Sequence, residues 1–447
     1  MRLFGLWRDK KNEPQPEPVR EEQPRQPEPA PAPKVRVIGA ASYPKMAPYP
    51  SMDSEDFGQA LEEWEQGLRA QRRPDSYARG MQLCYAVLLR SFLDPGGQEN
   101  RVFSPMNLYL ALAMLAECTG ENSRRQLLRL LGTQDLTTLR SHADDLWNAH
   151  YRDDGHSASL LANALWLRQG LHYERPALEA LAEHHHASSF QAVMGSEQTD
   201  KALRQWLNDQ THGLLKEQTA SVQLDAATVL ALTSAVYYRA AWASPFERED
   251  TSEGVFHSAN GDVTCQFMHG RRESTYYWGG GCTAVRWAME DDREDMWFIL
   301  PDESTPEQLL HNNEVLAFLL CGGDCPNQRR TLVNLSLPKF DISSEVDLKD
   351  ILQKLGVTDV FDETLADFTP IISEPKEVCL SQARHDARIV VDEDGVEAAA
   401  TTLLAVTMKA ARPVRERIDF VLDRPFIFAV TGSDGLPLFA GVVNQPK

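Results

Sequence analysis

Residues able to do chemistry are plentiful in this 447-residue chain, yet few sit at a spacing that makes a site. Ser, His and Asp occur without a GxSxG elbow, an HExxH pair, a GxxxxGK loop or a GxGxxG turn. Gly279-Gly280-Gly281 is a turn with no helix behind it. His184-His185-His186 would point in three directions on a helix, which makes a poor chelate and a better polar helix end. Cys321 and Cys325 could clasp a metal or each other, but no second pair stands nearby. A calcium loop read from Val390 would have Val at its first ligand position and Thr401 at its twelfth, so none is expected, and no cofactor or metal is assigned. What remains is Met408-Lys409-Ala410-Ala411-Arg412-Pro413, where basic side chains alternate with small ones. Its chemistry would be that of a bond offered to a protease.

The stretch leading into it has two characters. Glu397-Ala398-Ala399-Ala400 favours helix, whereas Thr401–Thr407 is apolar or β-branched and suits a strand. Counted in twos, Val396, Ala398, Ala400, Thr402, Leu404 and Val406 share one face, all small or apolar. An isolated run of this kind reads as a helix or a buried strand. Running without a turn into the basic segment, it reads instead as a piece able to be exposed bait or buried strand.

The net charge of -20 lies wholly in the body, because residues 1–60 carry nine basic and nine acidic side chains. Such a body disfavours nucleic acid and anionic membranes as partners. Leu3–Trp7 is a short apolar patch that no run of signal-peptide length follows, so export by that route is not expected and localisation stays open. Residues 12–34 hold eight prolines among Glu, Gln and Arg, which fits an extended linker; we take 1–60 as a disordered tail and 61–447 as the folded domain. Seven cysteines in no framework spacing suit buried thiols of a reducing compartment. The sequon Asn334-Leu335-Ser336 is expected to be idle.

Helical periodicity covers 77–93, stopped by Asp94-Pro95-Gly96-Gly97. Ser104-Pro105 caps and starts a second helix that ends near Gly120, and Asn122 or Ser123 starts a third. Further helices are expected at 176–186, 198–210, 306–320 and 346–355. Strands are expected at 160–167, 229–238, 283–289, 296–300, 332–340, 378–382, 387–391, 418–421, 426–431 and 438–443. Helices early and strands late indicate an α+β fold.

Segments spread over Tyr77 to Pro446 resemble the serpin family. Phe103-Ser104-Pro105-Met106-Asn107 is similar to its Ser-Pro helix signature, and Ala162-Asn163-Ala164-Leu165-Trp166 to its Ala-Asn-x-Leu strand. Ser234-Ala235-Val236-Tyr237-Tyr238 through Trp242 looks like the central strand and its exit. Leu337-Pro338-Lys339-Phe340, Ala366-Asp367-Phe368, His385, Val391-Asp392-Glu393-x-Gly395-x-Glu397, Arg424-Pro425-Phe426 and Leu438-Phe439-x-Gly441 follow in order. Single motifs are weak; their ordered run over roughly 370 residues is specific.

The resemblance implies a helix-rich region, three β-sheets and an exposed reactive-centre loop over about 395–413. It also implies a protease inhibitor, not an enzyme, that works as a single-use suicide substrate: a monomer forming a covalent 1:1 complex with a target serine protease. The hinge would be Glu393, Gly395, Val396, Glu397, Ala398, Ala399, Ala400 and Thr401, with Val396 departing from the usual Thr or Ser. Ser104, Asn107, Ser234 and His385 would form a polar cluster under the parting strands, with Asn107 and Ser234 exchanging the family's usual Ser and Asn. Trp242 and Glu393 would sit where insertion begins. Fourteen residues past Gly395, the reactive bond falls at Lys409-Ala410, which suits a trypsin-like protease. A one-residue shift to Met408-Lys409 would suit a chymotrypsin- or elastase-like enzyme. Cysteine-protease inhibition, or a non-inhibitory carrier, chaperone or storage role, stays open at this level.

Overall fold

The computed structural model describes residues 35–446, apart from 44–45, 52–53, 55, 72–76, 94–97, 156, 291–293, 321–326, 376 and 398–416. The compact unit begins at Val35. Its longer helices in the first half are α1 (Phe57–Gln71), α2 (Ala78–Leu93), α3 (Pro105–Cys118), α4 (Glu121–Leu130), α5 (Leu136–His150), α6 (Arg175–His184) and α7 (Glu197–Gln210). The α3 helix starts as the sequence indicates: Ser104 Oγ accepts from the Asn107 main-chain N–H at 3.1 Å, and Pro105 occupies the first turn. α4 differs, since Gly120 is its cap residue and no side chain of Asn122 or Ser123 does that work.

The main sheet holds β1 (Arg36–Gly39), β2 (Arg152–Asp153), β3 (Ala158–Arg168), β4 (Ala187–Ala192), β5 (Leu230–Ala241), β6 (Phe340–Asp347), β7 (Arg384–Val391) and β8 (Gly395–Val396). Its order is β1-β4-β3-β5-β8-β7-β6, with β2 beside β3. β1 corrects the expected tail boundary. Arg36 and Val37 are exposed while Ile38 and Gly39 are half-buried, and the strand pairs antiparallel with β4, covering what would be a bare sheet edge. Tyr43 then stacks on Tyr151 at 5.6 Å, and α1 follows at Phe57, so residues 35–60 contribute to the fold.

The second sheet has nine strands rather than forming two sheets of its own. The reason is Gly261–Gly279, a 19-residue strand that pairs with Ser252–Ser258 at its start, Gln328–Pro338 along its middle and Cys282–Ala288 at its end. It makes one ladder of what the resemblance counts as two sheets. The expected strand at 378–382 is not formed, although Val378 and Leu380 are buried. The expected strand at 332–340 is two, Gln328–Pro338 and β6, broken at Lys339. The helix at 306–320 likewise divides into Pro306–Leu309 and Asn313–Leu320.

Between the layers, α3 is buried almost throughout and lies under the main sheet. Val236, Tyr238 and Ala240 of β5 face the large core that includes α3, while Ala231 and Ala235 face a smaller cluster with Leu203 and Leu207 of α7. That period-two split fixes which side of an added strand would look inward.

Candidate functional site

The two central strands of the main sheet, β5 and β7, do not pair with each other. Only β8 joins them: Gly395 stands opposite Ala241 and Val396 opposite Ala240 on one side, and Val391 opposite Val396 on the other. Past Glu397, whose N–H donates to the Val390 carbonyl at 3.0 Å, the facing edges of β5 and β7 carry no ladder partner among the described residues. Val396 is 1% exposed and packs in the core. The first two residues after the hinge turn are therefore already seated at the top of an open slot.

The turn Asp392–Gly395 is held from several sides. Asp392 Oδ1 accepts from the Asp394 and Gly395 N–H groups at 2.9 and 3.3 Å. Trp242 Nε1 donates to the Asp392 carbonyl at 2.8 Å, and the Trp242 N–H to the Asp394 carbonyl at 3.0 Å. Glu393 is buried, with Oε1 accepting from Thr251 Oγ1 at 3.0 Å and Oε2 from Lys339 Nζ at 2.8 Å. Burial works to raise its pKa, but those hydrogen bonds prevail and hold it below the usual value. Arg248 pairs with the Asp394 carboxylate. Gly395 is required by space: a Cβ there would overlap the Ala240 carbonyl oxygen and meet Ala241 Cα at 2.8 Å.

Lower in the slot lies a polar cluster on an apolar floor. Ser104, Asn107, Asn163 and His385 are all buried. The Ser104 N–H donates to His385 Nε2 at 3.2 Å. Ser234 Oγ reaches both the Asn107 side-chain oxygen and Asn163 Oδ1, the latter at 2.7 Å. Burial pushes the His385 imidazole down to about 4, so it is neutral at physiological pH. A cavity of about 580 Å³ opens beside this cluster, lined by Leu207, Leu224, Thr233, Asp347, Gln382 and Arg384 among others.

Thus Ser104, Asn107, Ser234 and His385 come together, and Trp242 joins Glu393, Gly395, Val396 and Glu397 at the upper end. Ala398, Ala399, Ala400, Thr401, Lys409 and Ala410 lie outside the described residues, as do Cys321 and Cys325. Lys339, Thr251, Arg248 and Asn163 were given no role at the site by the sequence reading, since each reaches it from a distant part of the chain. The three histidines diverge as their spacing required: His184 ends α6, His185 is buried by Glu117, and His186 packs on Trp147 at 4.6 Å.

Residues 83–446 match the family model described as Serpin (serine protease inhibitor). The chain belongs to the serpin family. Serpin-ZX of Arabidopsis thaliana is 27% identical over 361 residues, which cover 78% of this chain and 92% of that one. Among solved structures, the thermophilic serpin tengpin in its native state aligns with a TM-score of 0.74 at 23% identity, covering 92% of this chain and 100% of that one. Human thyroxine-binding globulin aligns with a TM-score of 0.72 at 20% identity, covering 83% and 99%. At those identities the two structures speak for the serpin fold, which is α+β, and the family is one of protease inhibitors rather than enzymes.

Proposed function

We propose that this serpin inhibits a trypsin-like serine protease by being cut at Lys409-Ala410 and inserting the freed loop into the slot between β5 and β7. The observation that carries this reading is the unpaired pair of strand edges below a hinge that already occupies their upper end. Attack by the protease serine on the Lys409 carbonyl breaks the bond to Ala410, whose amine leaves with a proton, and forms an ester to the protease. The loop, tethered only at Gly395, is then free to enter as a strand; serpins are a standard instance of such strand addition.

Antiparallel continuation from Val396 opposite Ala240 brings Glu397 opposite Arg239 and Val406 opposite Leu230. About ten backbone hydrogen bonds at a net ~1 kcal/mol each make this worth on the order of 10 kcal/mol, before apolar burial adds to it. At roughly 3.3 Å per residue, Lys409 would end about 45 Å from Gly395, carrying the acylated protease with it. A protease dragged against the inhibitor's body loses the active-site geometry that deacylation needs.

A carrier role is the rival reading, supported by the fold shared with thyroxine-binding globulin and by the cavity beside the slot. Incubation with trypsin separates the two. An inhibitor gives a denaturant-resistant 1:1 complex and a released peptide beginning at Ala410; cleavage without a complex refutes inhibition of that protease class. Lys409→Ala should abolish trypsin trapping, and trapping at an unchanged rate would contradict the assigned bond. Ala400→Arg should give a substrate in place of an inhibitor.

A further inference from the structure

Arg272, on the long strand Gly261–Gly279, is half-buried and caps an aromatic stack that leads to the hinge. Its guanidinium carbon stands 3.7 Å from the centre of the Trp287 ring. Trp287 stacks on Phe246 at 5.7 Å and an interplanar angle of 17°, and Phe246 meets Trp242 edge to face at 5.9 Å. Trp242 Nε1 is the donor to the Asp392 carbonyl, in the turn from which β8 departs. The buried indole nitrogen of Trp287 has no hydrogen-bond partner, so what this ring contributes is its face. Gly270 leaves room for the stack, since a Cβ there would meet Phe246 Cε1 at 2.6 Å and Trp287 Cζ2 at 3.0 Å.

The same guanidinium makes a second connection. Its two terminal nitrogens donate to the Ala288 carbonyl at 3.4 and 3.3 Å, and that oxygen also accepts from the Ala243 N–H at 3.1 Å. Residues 241–246 are where the chain leaves β5. They are bound on one side to the hinge turn, with the Phe246 N–H donating to the Glu393 carbonyl at 2.9 Å and the Trp242 N–H to that of Asp394. On the other side they are bound to the end of the strand Cys282–Ala288 and the residues after it, where the Glu290 N–H donates to the Ala241 carbonyl at 2.9 Å. Arg272 therefore grips that strand end at both a ring and a carbonyl. A guanidinium over an indole face, with its N–H groups committed to a carbonyl, is a contact of fixed geometry that strengthens as water is excluded.

We infer that Arg272 is a positioning residue for the hinge, acting through Trp242 to keep Gly395–Val396 seated between β5 and β7. Without the guanidinium, Trp287 and Phe246 lose their outer support, the Trp242 ring loses its backing, and the Asp392 carbonyl loses a fixed donor. Val396 then leaves the sheet more often. The consequence for trapping rests on the inhibitory reading above. An unseated hinge has to re-enter before the strand can follow, and more acyl-enzyme hydrolyses in the meantime.

Hydrogen exchange on the intact protein tests the seat without any protease. Arg272→Met should lower the protection of the Glu397 amide roughly three- to tenfold, and Arg272→Lys, which keeps a cation over the ring, should lower it less. Arg286→Met is the control: Arg286 neighbours Trp287 on the opposite face of the strand and pairs with Asp295, so that amide should stay as in the wild type. In a Trp242→Phe background, Arg272→Met should have little further effect, because the donor through which it acts is gone. A loss that adds in full to that of Trp242→Phe overturns the inference, as does a Glu397 amide as well protected as in the control. With trypsin, Arg272→Met should be cut at the wild-type rate but use up more protein per trapped protease, and wild-type partitioning also overturns the inference. A wild type that is cut without trapping trypsin defeats the inhibitory reading instead, and the seat is then decided by the exchange result alone.

Discussion

Lys339 Nζ lies 2.8 Å from Glu393 Oε2, joining the break between two strands to the turn from which the hinge departs. The Glu393 side chain is 5% exposed and that of Lys339 36%, so the carboxylate depends on its partner more than the ammonium does. Removing the lysine leaves a buried charge with Thr251 as its remaining side-chain donor. Lys339→Met should cost about 2 kcal/mol in urea unfolding of the intact form, less than a fully enclosed pair because the lysine is part-exposed. It should also speed the loss on storage of the form in which Gly395–Val396 is seated in the sheet. Unfolding midpoints equal to wild type would show that the turn is held by its main-chain bonds alone.

The seat of β8 makes a second prediction. Gly395→Ala places a methyl group against the Ala240 carbonyl, and Val396→Asp puts a carboxylate in a core site that is 1% exposed. Either change should expel β8 from the sheet, with a loss of about 2–3 kcal/mol in the valine case. Hydrogen exchange reads it directly: the Glu397 amide, bonded to the Val390 carbonyl at 3.0 Å, should lose its protection in both variants. Retained protection would mean that the turn, rather than the strand pair, positions the hinge.

How much of this was legible beforehand follows from the range of the forces involved. The inward side of Val396 could be read because a strand's period is two, and the start of α3 because Ser104 caps within its own turn. Partners far apart in sequence left no local sign, as with Lys339 and Glu393 or Ser234 and Asn163. The hairpin Ser252–Ser258 with Gly261–Gly279 was missed because much of it is half-buried or exposed and its polar residues do not alternate cleanly. Conversely, Val378 and Leu380 alternate inward as a strand would, but no neighbour offers a ladder, so burial alone imitated one. β1 was hidden by the proline-rich sequence before it.

His385 supplies a pH prediction. Its pKa is about 4 in the folded protein against an ordinary 6.5, because burial opposes the charged ring. Between those values the unfolded chain binds more protons than the folded one, so the contribution of His385 to stability rises with pH and is lost as pH falls from 6.5 toward 4. For a fully enclosed group the shift corresponds to about 3 kcal/mol. His385→Asn should remove that contribution, so that urea unfolding at pH 4.5, 5.5 and 6.5 gives a slope more negative than in the wild type; an unaltered slope would place the titration elsewhere.

Glu397 acts with the opposite sign over much of the same range. It has a φ of 47° where the chain leaves the ladder, and its Oε2 is buried without a partner. Desolvation raises its pKa to about 7 despite Arg388 and Arg239 nearby, and Arg388 is already committed to Asp341 at 2.6 Å and to the Leu214 carbonyl at 3.0 Å. The folded state holds this proton more tightly than the unfolded chain, whose carboxyl titrates near 4.5. Its contribution is complete below 4.5 and lost as pH rises through 7. From 4.5 to 6.5 the two residues offset each other, and the wild type should show a shallow dependence there. Glu397→Gln should unmask the His385 rise, and His385→Asn the Glu397 fall, with the double variant flat again. Above pH 7 an ionised Glu397 has the least reason to keep its seat, so spontaneous departure of the hinge should quicken from pH 6 to pH 8 in the wild type and not in Glu397→Gln. Equal rates for the two proteins across that range would detach this carboxyl from the movement of the hinge.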